Sequence, residues 1–151
     1  MDDDDHLRRA FAVARRAGAH GNPPFGAVLV APDGAVVMEG ENNVATERDC
    51  TGHAETNLIR AASRRFGPGA LRGYVLYASA EPCCMCGVAA YWAGLNRIVY
   101  GLSHARLHAM RGAAGPLPIA FSTRELLARA DRPIEVVGPL LEDEAAAVFD
   151  R

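Results

Sequence analysis

No stretch of this chain approaches the ~20 consecutive apolar residues of a membrane span, and its start, Met1 followed by four aspartates, is the reverse of a basic signal-peptide beginning. A membrane location and an export route are thereby set aside, and a cytoplasmic protein is expected. Cysteine is scarce as well. Only four are present, three of them clustered between residues 83 and 86, which suits a metal site in a reducing compartment better than a disulfide framework. Positive charge is not in excess, with 16 Lys+Arg against 18 Asp+Glu and a net charge of -2. A protein held mainly by phosphate contacts usually carries a basic surface, so nucleic acid is not an expected partner, although a local basic patch would escape this count. There is no internal repeat and no domain boundary. The 151 residues, half of them hydrophobic, are read as one soluble domain spanning residues 1–151 with room for a core.

What is present is concentrated in two short stretches. Pro82-Cys83-Cys84-Met85-Cys86 places two thiols three residues apart, and at the start of a helix both project from one face of the first turn. Taken alone, Cys-x-x-Cys is a redox pair, half of a structural zinc site or two buried small residues. A closed structural site would be favoured by a second such pair, but Cys50, the one remaining cysteine, has no cysteine three residues away. A redox pair gives no reason for the other stretch, His53-Ala54-Glu55. Catalytic zinc takes three nitrogen and sulfur ligands and leaves a fourth position for water, so His53, Cys83 and Cys86 form a ligand set for Zn²⁺ with Glu55 beside the water. An ordinary first-turn helix glutamate is the commoner role for Glu55 in isolation. The cysteine pair overturns it. The order His-x-Glu and then Pro-Cys-x-x-Cys resembles the signature of zinc nucleobase deaminases.

Along the chain, the aspartates at 2–5 suit the start of a helix over residues 7–17, ended by Gly18. Residues 25–30 and 35–41 read as a hairpin about the turn at Pro32-Asp33-Gly34. Residues 44–52 are polar and irregular, and a helix over 53–66 packs Leu58, Ile59 and Ala62 inward. A strand at 74–78, the cysteine helix ending at Gly94 and a strand at 97–101 make a βαβ unit with parallel strands. Beyond Ser103 the pattern weakens: residues 112–118 are loop-like, a helix runs from a capping box at Ser122 and Glu125 to 130, and a last strand at 134–137 precedes a helix at 141–149. The expected fold is a three-layer α/β/α sandwich around a mixed five-stranded sheet.

With these elements in order, the chain resembles the cytidine deaminase-like superfamily, and most closely its bacterial guanine deaminase and tRNA adenosine deaminase branch. The resemblance spans residues 24–107. It is carried by Pro24-Phe25-Gly26-Ala27-Val28-Leu29-Val30, Asn42-Asn43-Val44, His53-Ala54-Glu55, Glu81-Pro82-Cys83-Cys84-Met85-Cys86-Gly87 and Tyr91-Trp92-Ala93-Gly94. Cys84 stands where those enzymes usually carry a proline, and the match ends before the tail that they close over the base. The resemblance implies a homodimer, a free heterocyclic base and water as substrates, and base contacts from Asn42, Phe25, Ala54 and Trp92. An asparagine at a strand end is otherwise a turn residue, and Phe25 and Trp92 serve equally as core residues.

In the implied chemistry the metal lowers the pKa of a water, and Glu55 moves that water's proton to the ring nitrogen and the leaving amine. Guanine is the leading substrate, with cytosine or an amino-s-triazine as variants. Two other readings share the motifs, a tRNA adenosine deaminase and a non-catalytic zinc-stabilised binding module. His6, His20, His104 and His108 lack a partner pattern and are expected at the surface or in loops, and Cys50 as a small buried residue.

Overall fold

The computed structural model describes residues 2–115 and 119–150. Helix α1 (Asp3–Ala19) begins with a capping box: the Asp2 carboxylate accepts from the Asp5 backbone N–H, and Asp5 returns a bond to the Asp2 N–H. It runs past Gly18, the expected stop, to a cap at His20. Its buried face is Leu7, Ala10, Phe11, Val13, Ala14 and Ala17, and His6 joins that face instead of the surface, its ring 4.8 Å from that of Tyr77. Strands β1 (Gly26–Val30) and β2 (Val36–Glu41) form the expected antiparallel hairpin.

The stretch read as irregular contains a short helix, α2 (Val44–Glu47). Asn22 organises it from a distance, its side-chain oxygen accepting from the Ala45 and Thr46 backbone N–H groups. Helix α3 (Ala54–Phe66), strand β3 (Val75–Ala80), helix α4 (Cys84–Trp92) and strand β4 (Arg97–Leu102) follow. Then comes a helix not anticipated from sequence, α5 (His104–Arg111), with a 3₁₀ turn at Gly112–Ala114. The remainder of the loop expected to reach 118 lies, from residue 116, outside the described residues. Helix α6 (Thr123–Leu127) stops short of the expected 130, and β5 (Glu135–Val137) and α7 (Glu142–Ala147) complete the chain.

The sheet order is β2-β1-β3-β4-β5, antiparallel between β2, β1 and β3 and parallel between β3, β4 and β5. This is the expected mixed five-stranded sheet. Its central strands are apolar on both faces because helices cover both. Val28, Val30, Tyr77 and Val99 point to the α1 and α7 side, while Ala27, Leu29, Leu76 and Ile98 point to the side of α3 and α4. Burying each such leucine or isoleucine contributes about 2–3 kcal/mol. Gly26 is required where β1 begins, since a Cβ there would meet the Ala14 nitrogen and Ala10 oxygen of α1. No helix among the described residues is long and apolar enough to cross a membrane.

One ion-pair network pins the start of α1 to the sheet. Asp3 accepts two bonds from Arg97 at 2.8 and 2.9 Å and one from the Tyr77 hydroxyl at 2.6 Å. The Arg97 guanidinium holds the Asp3 carboxyl down to about 2. Because the folded value lies below the unfolded one, the contribution is complete above about pH 4 and is lost as pH falls through about 2. Discounted for partial exposure, it is about 1–2 kcal/mol. Asp3→Asn is expected to lower the melting temperature by roughly 3–6 °C at pH 7 and to converge on the wild type in melts near pH 2.

Candidate active site

The two sequence stretches meet because their helices start at one place. His53 is the N-cap of α3 and Cys83 the N-cap of α4, both with extended backbone (φ -71°, ψ 147° and φ -67°, ψ 170°) and neither side chain spent on capping its own helix. Each side chain is therefore free to face the other helix. His53 Nδ1 lies 3.4 Å from Cys83 Sγ and 3.5 Å from Cys86 Sγ, and the three atoms are all within 4.8 Å of one another. A tetrahedral zinc with its usual bond lengths separates a nitrogen and a sulfur ligand by about 3.5 Å, so the trio fits that ion. Cys84 turns away, its thiol 3.6 Å from the Phe121 carbonyl.

The two thiols are pushed in opposite directions, Cys86 upward by its hydrogen bond to Cys83 and by burial. The hydrogen bond with Cys86, together with His53, holds the Cys83 thiol well below its ordinary range, and the Cys83 contact raises the His53 pKa. Thr56, a residue the sequence reading passed over, places its hydroxyl 3.1 Å from Cys86 Sγ and so fixes a second sulfur. Behind the cysteines, the buried Thr123 hydroxyl donates to the Pro82 carbonyl at 2.5 Å. Gly87 permits that approach, because a Cβ would come within 2.9 Å of the Thr123 oxygen.

Glu55 is 5% exposed. Burial pushes its carboxyl up to about 7, helped by Cys83 and opposed by its own backbone N–H, the Cys86 thiol and His53. A divalent cation alongside would act in the opposite sense, favouring the carboxylate.

A cavity of about 300 Å³ opens onto this cluster, and Phe25, Asn42, His53, Ala54, Glu55 and Cys83 line it. Of the anticipated base contacts, three are thus brought together with the ligand trio. Asn42 is buried, and its side-chain oxygen accepts from the Val44 backbone N–H at 3.0 Å, so it faces the cavity with a spare N–H donor. Asn57 holds this segment by donating to the Glu41 and Gly52 carbonyls and to Asn43. Trp92 is not brought in. Nine residues beyond Cys83 carry it about 13 Å down α4, where it is 74% exposed.

The far wall comes from α5, which supplies His104, Leu107 and Arg111. His104 was expected at the surface, yet its Nδ1 lies 3.2 Å from the Glu81 carboxylate, which lines the same cavity. Arg111 stacks on Phe25, its guanidinium carbon 5.4 Å from the ring centroid. The weak periodicity after Ser103 hid all three, although Ser103 carried a cap signal, since its hydroxyl accepts from the Arg106 N–H. Cys50, expected to be buried, is exposed.

The comparisons with known proteins bear on the same constellation. A probable cytosine deaminase of Schizosaccharomyces pombe is 38% identical over 141 residues, 93% of this chain and 85% of that protein. A guanine deaminase of Bacillus subtilis is 44% identical over 107 residues, 69% of this chain and 67% of that protein. A crystal structure of a mutant protein in complex with 8-azaguanine superposes with a TM-score of 0.82 at 26% identity, covering 98% of this chain and 82% of that one. Residues 1–102 match the family model for the cytidine and deoxycytidylate deaminase zinc-binding region, a span that includes the histidine, both cysteines and the glutamate between them. On that match, and on the two helix starts that bring together a histidine and two cysteines able to hold a metal ion, the chain belongs to the cytidine and deoxycytidylate deaminase family and is a zinc-dependent hydrolytic deaminase.

Proposed function

We propose that the chain, acting as one domain over residues 1–151, deaminates a free amino-substituted base, guanine first, to give the corresponding oxo base and ammonia. One observation carries this: a buried carboxylate, His53 and Cys83 of the ligand trio, an aromatic face and an asparagine donor share one cavity of about 300 Å³, the low end of the range for small-ligand pockets. The guanine deaminase relative and the 8-azaguanine complex support guanine as the base.

In this reading His53, Cys83 and Cys86 hold Zn²⁺, which when bound lowers the pKa of water in its open position. Phe25 gives the ring a flat apolar face, and the Asn42 amide donates to a ring acceptor, fixing which carbon faces Glu55. Glu55 takes a proton from the attacking water and delivers it to the adjacent ring nitrogen, and a second proton goes to the amine. The carbon–nitrogen bond breaks, ammonia leaves and a carbonyl remains. Burial of Glu55 keeps its proton transfers from leaking to bulk solvent.

The test is ammonia release from zinc-quantified protein on guanine, cytosine, adenine, isocytosine and amino-s-triazines. Release from guanine above a no-enzyme control is expected, and silence across the panel would overturn the proposal. tRNA-specific adenosine deaminases also occur among the relatives. Inosine formed in incubated tRNA would favour that reading, against which the net charge of -2 counts. The exposed Trp92 and Met85, seven residues apart on α4, support a homodimer in which a second copy covers these residues. A monomer by size-exclusion chromatography with light scattering would exclude it.

A further inference from the structure

We infer that Arg111 reads the O6 and N7 edge of a 6-oxopurine and so selects guanine over bases lacking that pair of acceptors, an inference that rests on the reading of the cavity as a base site. The starting point is a cation without a polar partner among the described residues. All sixteen basic residues are arginines. Arg8, Arg9, Arg16, Arg97 and Arg106 are ion-paired, and Arg60, Arg65, Arg124 and Arg132 donate to side-chain or backbone oxygens. Arg111 lines the cavity as well as a neighbouring cleft formed with Arg15, Phe149 and Asp150, and it is partly buried, yet among the described residues it has neither a carboxylate within 4.0 Å nor a hydrogen-bond acceptor. A guanidinium carries five N–H donors in a fixed plane, and leaving them unmatched in a half-buried position is costly unless a ligand takes them up.

Its place along α5 sets which part of a ligand it meets. His104, at the start of that helix, is paired with Glu81, two residues before Cys83, so this end of α5 lies by the ligand trio. Arg111 is seven residues on, about 10 Å along the helix axis. It therefore meets the end of the base remote from the departing amine. The stack on Phe25 holds the guanidinium against the ring that would carry the base, and Asn42 has its oxygen already committed. The polar groups on offer here are donors, so the matching edge is one of acceptors. Guanine presents O6 and N7 side by side, the arrangement a guanidinium fork meets with two parallel bonds, whereas adenine presents a donor in place of O6. Lysine, a point charge without the fork, would not reproduce the match.

Binding is measured by calorimetry on the zinc-loaded full-length chain carrying Glu55→Gln, so that no ligand is consumed. Guanine, 2-aminopurine, 7-deazaguanine and guanosine monophosphate are titrated with and without Arg111→Met or Arg111→Lys. Arg111→Met is expected to weaken guanine by about 10- to 100-fold, as for loss of one bidentate pair, and to change 2-aminopurine by less than threefold. Arg111→Lys is expected to recover less than half of the loss on a logarithmic scale. Melting temperatures within about 2 °C of the parent exclude a folding defect. Equal weakening of guanine and 2-aminopurine, no guanine binding at all, or tighter Arg111-dependent binding of the monophosphate than of guanine would each overturn the inference. If the wild type releases no ammonia from guanine yet the selectivity pattern holds, Arg111 keeps its role and the proposed reaction is what fails. Turnover of guanine by the wild type with no selectivity change in the variants means the reverse.

Discussion

Glu55→Gln is expected to reduce ammonia release by at least 10²- to 10⁴-fold while leaving bound zinc at the wild-type level. Glutamine keeps the shape of the side chain and can still hydrogen-bond within the 5% exposed site, so the packing around the start of α3 is preserved. What it cannot do is accept a proton from water and pass it on. A second effect has the opposite sign. A carboxylate in this position is held at a cost in desolvation, which is why its pKa is pushed up to about 7, and a neutral amide avoids that cost. With zinc chelated from both proteins, the variant should therefore melt at or above the wild-type temperature. Loss of activity together with undiminished stability separates a residue kept for chemistry from one kept for folding. Activity within tenfold of wild type would remove Glu55 from the reaction and favour the non-catalytic binding module.

The second large effect comes from the metal. Cys86→Ser is expected to lower bound zinc from about one per chain to under a tenth, and to abolish ammonia release at ordinary zinc concentrations. The serine oxygen is a poor substitute for a thiolate whose sulfur sits 3.5 Å from His53 Nδ1 and 3.1 Å from the Thr56 hydroxyl. Chelation of the wild type should have the same result and be reversed by added zinc. Stability should fall as well. Free zinc at a thousand times its dissociation constant stabilises the folded state by about 4 kcal/mol, which is roughly 10 °C in melting temperature for a chain of this size. A chelated protein that melts where the loaded one does would show that the ion is not bound at this trio.

How far the sequence carried these conclusions depends on where each signal was local. The meeting of His53 and Glu55 with Cys83 and Cys86 was legible because each half is a short motif at a helix start, and the helix geometry that aligns Cys83 with Cys86 is the same in any protein. The hairpin and the βαβ unit were legible for a similar reason: continuous apolar runs such as Val28, Leu29 and Val30 are what a strand covered on both faces requires. The far wall of the cavity was not. Helix α5 buries one residue, Leu107, so its periodicity is faint, and His104 and Arg111 gain their meaning from Glu81 and Phe25, which are distant in sequence. Trp92 shows the opposite failure. Its place in a motif suggested a pocket residue, but the length of α4 moves it away from the site within its own chain.

The two outer strands limit how copies of this chain can meet. Strand β2 carries Glu39 and Glu41, tied by ion pairs to Arg9 and Arg16 of α1 and to His20, and at the other side β5 is only three residues long. Charged side chains and brevity are the two devices that keep an outer strand from recruiting another. A continuous sheet running from one molecule into the next is therefore closed off at both margins, and protection from fibrous association is built into the outline of the sheet itself. Pairing of two copies through a helical face would leave every strand of each sheet hydrogen-bonded within its own chain.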